Sequence, residues 1–284
     1  TITDNDRLGS TGPAGVGSDA SNLLWVRADD GVVTSSGNVT DWNDQSGNNH
    51  NLTVASGTPT FDGLTSGNAI NGLPVVTFGG NGEFLKDDGN GEYFDNLDAV
   101  SVFSVVQFGG TVGSDAGYFD TKDKAEGNDD LLAIRYDDRG SNSGRENVIK
   151  IGINNEAQQL ETSTTIDGVN VQQTVPQIHQ VRWASGSDLT FALNGTDDGT
   201  PFLSGSIVTD PLEAKTVEIG RGPKDIGWNG QVAELFAFNN TLNVTQRTLV
   251  QNYLSAKYDV TLTSGTADVY AGDANANTDG DEYD

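Results

Sequence analysis

The chain has 284 residues, with 41 Asp plus Glu against 15 Lys plus Arg and a formal net charge of −26. Such a charge repels nucleic acid and anionic lipid and leaves few positive residues for a basic patch, so neither is an expected partner. Cysteine is absent, which excludes a disulfide framework, and no apolar run is long enough to span a bilayer.

Residues 1–21 are almost free of large apolar side chains and rich in Gly, Ser and Asp, as expected of a linker or N-terminal extension. The chain starts at Thr1 without methionine, which suits a processed product or an excised domain. Short strand patterns follow between Gly, Asn, Asp and Ser clusters, at 99–108, 131–136, 148–153 and 216–219. Between the first two, Asp120, Asp123, Glu126, Asp129 and Asp130 read as a solvated loop. The pair Asn194-Gly195 is the preferred type I′ hairpin turn. Residues 231–238 alternate as a strand with one buried face. A capped helix comes next: Asn243 is the expected N-cap, Gln246 completes a capping box, and Leu249, Val250, Tyr253 and Leu254 form an apolar stripe. With 36 Gly, 7 Pro and one late helix, strands do not alternate with helices, which argues for a sandwich over a doubly wound fold. One domain is expected over residues 22–262, followed by an acidic tail at 263–284.

Several landmarks occur in order: 23–29 (LLWVRAD), 42–49 (WNDQSGNN), 73–78 (LPVVTF), 179–183 (HQVRW) with 189–195 (LTFALNG), and the strand and helix of 230–258. Together they resemble LamG-like, concanavalin A-like jelly-roll domains of microbial extracellular and cell-surface proteins. The resemblance implies an all-β, concanavalin A-like (LamG-type) jelly-roll β-sandwich with one C-terminal helix, in an extracellular or cell-surface setting. It implies a recognition or adhesion module that binds glycan or a surface protein, or else a structural protomer that binds copies of itself in an extracellular assembly.

Sugars stack on aromatic rings beside polar loops. Trp228, in the Gly-rich stretch 227–230, is the leading candidate platform, with a packing role as its alternative; Tyr118 and Tyr136 are secondary candidates. Trp25, Trp42 and Trp183 lie on strand patterns and are expected in the core. Asp44 is expected to satisfy backbone N–H groups of its own turn. In the tail, Asp273, Asn275, Asn277, Asp279 and Asp281 place oxygens at alternate positions around Gly280, the spacing of a calcium loop or of a polar linker. Calcium is thus the one possible cofactor, and no organic cofactor is expected. The remaining carboxylates read as a solvated surface suited to salty water, where screening removes most self-repulsion. Sequons at Asn38, Asn51, Asn194, Asn239 and Asn243 suit a secreted glycoprotein.

No enzymatic activity is expected. The Glu-x-Asp-x-(x)-Glu strand of retaining jelly-roll glycosidases is missing. The Gln-Ile-His motif of jelly-roll lyases occurs at Gln177-Ile178-His179, but its companion motifs are incomplete, and His179 falls where LamG-like domains carry a structural residue. His50 and His179 are too isolated to suggest a transition-metal site.

Overall fold

The structure, a computed structural model, describes residues 12–263 except 65–66, 88–90, 111–113, 123–129, 138–146 and 172–173. Its strands run β1 (Asn22–Arg27), β2 (Val32–Ser35), β3 (Asn38–Trp42), β4 (Leu52–Ser56), β5 (Thr60–Asp62), β6 (Val75–Gly79), β7 (Phe84–Asp87), β8 (Asp95–Leu97), β9 (Ala99–Phe108) and β10 (Gly117–Lys122). They continue with β11 (Asp130–Asp137), β12 (Val148–Ile153), β13 (Gln158–Glu161), β14 (Thr165–Ile166), β15 (Val169–Asn170) and β16 (Gln177–Ala184). The last are β17 (Thr190–Leu193), β18 (Thr196–Asp197), β19 (Phe202–Gly205), β20 (Leu212–Glu213), β21 (Thr216–Ile219) and β22 (Asn229–Phe238), before the helix α1 (Val244–Tyr258).

Two antiparallel layers result. One runs β4-β7-β21-β10-β11-β12-β13-β19. The other runs β5-β6-β22-β9-β16-β17-β18, with β1 beside β6 on the same side of the ten-residue β22. Strand β3 pairs with both β4 and β5 and links the layers at one edge. This is an all-β jelly-roll sandwich with a C-terminal helix, as expected.

Apolar residues fill both faces of the central strands, as strands covered on both sides require. Along β22, Val232, Leu235 and Ala237 point into the core between the layers, while Ala233, Phe236 and Phe238 point out beneath α1. Strand β9 divides likewise, with Val102, Val106 and Phe108 inside and Phe103 and Val105 under the helix. The helix begins as its residues predict: Asn243 Oδ1 accepts from Gln246 N at 3.0 Å, and Gln246 Oε1 accepts from Asn243 N at 3.1 Å. Val250, Leu254 and Tyr258 form its buried stripe, whereas Leu249 is exposed and Tyr253 only half-buried. The expected stripe was therefore rotated too far toward solvent. Asn194 and Gly195 both have positive φ, 45° and 87°, as a type I′ turn demands.

One buried carboxylate gathers several side chains of the helix against the sheet. Glu234, fully buried in β22, accepts from Trp25 Nε1 at 2.7 Å, Tyr258 OH at 2.8 Å, Tyr253 OH at 3.0 Å and Lys257 Nζ at 2.9 Å. Its charge is compensated by Lys257, which also reaches Asp29 at 3.1 Å. A buried carboxylate survives only with this kind of complete pairing.

The segment expected as an extension is described from Gly12. Its Val16 is buried against the α1 side of the sandwich, and Asn239 Nδ2 donates to Ala20 O at 3.0 Å.

Candidate functional site

The three rings expected to meet sugar lie inside. Trp228 is fully buried, edge-on to Phe108 and Tyr118 with centroids 4.7 and 5.3 Å away. Tyr118 is fully buried, accepts from Ser104 Oγ at 3.2 Å and shares a hydrogen bond with His179 Nδ1 at 3.1 Å. Tyr136 packs against Phe108 and donates to Asn147. A ring with no exposed face offers no platform, so all three are corrected to core residues. Glycine is the cause: a Cβ on Gly227 would stand 2.7 Å from Gly82 N, and one on Gly230, 2.3 Å from Gln107 O. The 227–230 turn closes directly on neighbouring backbone and tucks its indole inward. Among the tryptophans, Trp42 and Trp183 are buried as expected, while Trp25 is the one left half-buried, with Arg27 5.2 Å from its ring centroid. Alternation along β1 carries the signal, because Trp25 shares its face with Arg27, opposite Leu24 and Val26.

His179 also lies in the core, against Tyr118 and Phe191, and burial lowers its pKa to about 3. Its imidazole is therefore neutral, and its Nε2 shares a hydrogen bond with Gln177 Oε1 at 3.2 Å. Asp44 does what its turn requires, accepting from Trp25 N, Ser46 N and His50 N at 2.9–3.0 Å. The calcium candidates Asp273, Asn275, Asn277, Asp279 and Asp281 lie outside the described residues. Of the sequons, Asn51 and Asn243 are exposed and Asn38 and Asn239 half-buried. Asn194 is buried, its Oδ1 accepting from Ile178 N at 2.8 Å.

The outward face of the β21-β10-β11-β12-β13 sheet carries charges that are nevertheless buried. Lys122 Nζ lies 3.5 Å from Asp120 and 3.6 Å from Glu218, and reaches the exposed Asp225 of a neighbouring turn at 3.2 Å. Arg221 grips Glu218 through two bonds of 2.6 and 2.8 Å and covers the Phe84 ring at 3.6 Å. Farther along, Arg135 pairs with Asp115 at 3.1 Å and with Glu156, while Lys150 lies 3.8 Å from Glu161. Asp120, expected in a loop, is a fully buried residue of β10, and Asp130 opens β11; Asp123, Glu126 and Asp129 lie outside the described residues. Mutual pairing lets these charges sit out of water, and it occupies them.

An accessible site lies at the open edge of the sandwich, where β18 of one layer passes through residues 198–200 to β19 of the other. A cleft of about 520 Å³ is lined there by Ser163, Thr165, Asp167, Thr196, Asp198, Thr200 and neighbouring residues. That volume is in the range of small-ligand sites. Asp198 builds the wall, its carboxylate accepting from Ser163 N at 2.6 Å, Ser163 Oγ at 2.9 Å and Thr200 N at 3.1 Å. Thr196 and Thr263 share a hydroxyl–hydroxyl bond of 2.8 Å. Thr165 and Asp167 are exposed at the rim. Hydroxyls that can both donate and accept, beside carboxylates that accept, are suited to a polyhydroxylated ligand. No sequence motif announced this site, because its pieces come from short strands far apart in the chain. Among the described residues no cluster of His, Cys, Asp and Glu suits a metal ion, and no helix is long and apolar enough to cross a membrane.

Neither a protein-family model nor a curated protein matches the chain in sequence. Solved structures do match its fold. An arabinofuranosidase complexed with arabinofuranosyl-α-1,2-xylobiose aligns at TM-score 0.56 and 15% identity, over 84% of this chain and 59% of that one. Domain 4 of AbnA, an extracellular GH43 arabinanase from Geobacillus stearothermophilus, in complex with arabinotriose, aligns at 0.54 and 12%, over 81% and 98%. The binding domain of botulinum neurotoxin DC, in complex with rat synaptotagmin II, aligns at 0.54 and 12%, over 84% and 52%. The chain thus spans between half and two thirds of the arabinofuranosidase and neurotoxin chains. One expectation is corrected by these likenesses: glycosidase chains share this fold, so missing jelly-roll motifs do not mark the chain as non-enzymatic. At 12–15% identity what is shared is the fold, an all-β jelly-roll sandwich.

Proposed function

We propose that this chain is an extracellular glycan-recognition module of the LamG-like type, in which residues 22–262 form the module between the flanking segments 1–21 and 263–284. The observation that carries the reading is the hydroxyl- and carboxylate-lined cleft at the sandwich edge. The structures of similar fold support it, since those of AbnA domain 4 and of the arabinofuranosidase hold arabinose-containing oligosaccharides. Calcium, if the module uses it, would be held by Asp273, Asn275, Asn277, Asp279 and Asp281.

An array of microbial, algal and animal glycans, screened with calcium and with EDTA, tests the proposal. A hit should weaken at least tenfold in Thr165→Val/Asp167→Asn, two exposed rim residues, with the melting temperature unchanged. Loss of the hit in EDTA would assign calcium a part in binding. A blank array under both conditions would refute recognition and favour an assembling protomer. The exposed Leu203 and Ile207, in and just beyond the edge strand β19, would then be its contact surface.

A further inference from the structure

Beside the cleft, two guanidiniums share one carboxylate. Arg182, on the outward face of β16, donates through Nη2 to Asp197 Oδ1 at 2.6 Å. Arg247, in the first turns of α1, brings Nη1 to 3.7 Å from the other oxygen of Asp197. No other carboxylate pairs with either arginine among the described residues, so the trio carries an excess positive charge within a chain of net charge −26. Nε of each arginine is buried without a hydrogen-bond partner, and buried N–H groups seldom go unpaired. The pKa of Arg247 is lowered by burial and by the like charge of Arg182, with Asp197 opposing. Asp197 also lines the cleft, and its side chain is 55% exposed against 16% for each arginine.

We infer that the arginine pair receives one anionic group of the bound ligand, and that the glycan recognised in the cleft carries a carboxylate, as a terminal uronic acid does. This rests on the glycan-recognition reading. A ligand carboxylate entering from the cleft joins Asp197 between the guanidiniums, giving two anions for two cations. Planar guanidinium is the group best matched to a carboxylate. Of the other carboxylates lining the cleft, Asp198 is engaged by Ser163 and Thr200 and Asp167 stands exposed at the rim, while charges farther away than about 8 Å are largely screened at physiological salt. The overall negative charge does restrict the ligand to an isolated acidic sugar rather than a polyanion.

The test compares a glucuronate-terminated disaccharide with its glucose-terminated counterpart by calorimetry, and follows the Arg Nε–Hε resonances during titration with sodium acetate alone. The acidic sugar should bind at least tenfold tighter. Arg247→Gln should abolish the difference, Arg247→Lys should restore part of it, and added NaCl should narrow it. Asp197→Asn, which removes the resident competitor, should widen it, whereas a site that binds through Asp197 itself would weaken. Equal affinity for the two sugars would overturn the inference and leave glycan recognition standing. Failure of both sugars to bind, with acetate still shifting the arginine resonances, would refute the cleft as a sugar site and keep the anion site. Resonances unmoved by acetate and by the acidic sugar would refute the anion site itself.

Discussion

Glu234→Ala should loosen α1 from the sandwich and cost about 3–5 kcal/mol, the range for breaking a buried ionic pair. The geometry sets that size. Losing the carboxylate leaves Trp25 Nε1, Tyr253 OH and Tyr258 OH without their acceptor, and each buried unsatisfied donor costs about 1–3 kcal/mol. Water offsets part of this at the half-buried Trp25 and Tyr253, and Lys257 retains Asp29 at 3.1 Å. For a chain of this size the loss corresponds to a fall of about 10 °C in Tm. Glu234→Gln keeps one acceptor and should cost about half as much. The assay is urea denaturation with hydrogen exchange on α1, where protection should fall more than in β9. A second readout is alkaline titration: burial first, then Glu234, raises the Tyr253 pKa above the usual phenol range, so Glu234→Gln should bring its ionisation to lower pH. A Glu234→Ala protein within about 1 kcal/mol of the parent, with α1 equally protected, would refute the hub as the helix anchor.

Burial holds the His179 pKa at about 3 against 6.5 in the unfolded chain, so stability is intact above 6.5 and declines as pH falls toward 3. The slope should be about 1.4 kcal/mol per pH unit and the total about 5 kcal/mol; a curve with the same slope in His179→Gln would count against it. Trp228→Ala should cost about 3–5 kcal/mol through the cavity it leaves, and any loss of ligand binding should track the unfolded fraction in a melt; selective loss in a fully folded variant would contradict the burial of that ring. With net charge −26, Tm should rise as NaCl goes from about 0.01 to about 0.5 M and the screening length shrinks, and a flat salt dependence would show that self-repulsion is negligible. Peptide mapping of protein from a glycosylating host should find Asn194 bare, because its side chain bonds Ile178 N in the folded state.

Where a local pattern was sufficient, the sequence reading and the structure agree. Strand β9 follows a continuous apolar run, and α1 starts where the reciprocal Asn243–Gln246 capping bonds start it. Differences arise where a side chain's surroundings come from distant parts of the chain. Trp228 looked like a loop residue, but whether a turn points outward depends on the backbone opposite it, here Gly80 and Gly82. Asp120 reads as solvated because an acidic cluster normally is; its ion-pair partner Lys122 lies two residues on in β10, and Glu218, which Lys122 also pairs, comes opposite Asp120 only when β10 pairs with β21. The same holds for the cleft, assembled from β14, β18 and residues 198–200. Glu234 leaves a local trace in the sequence, as the one charge in an otherwise apolar strand, but its four donors come from β1 and α1.

Trp25 also determines how the molecule ages. The chain contains neither Cys nor Met, so oxidants find no thiol or thioether to consume first. Three indoles are sealed in the core, and only Trp25 is within reach of dissolved oxidants. Its damage would remove one of the four donors that hold Glu234, so chemical wear would reach the helix seam before the sandwich core.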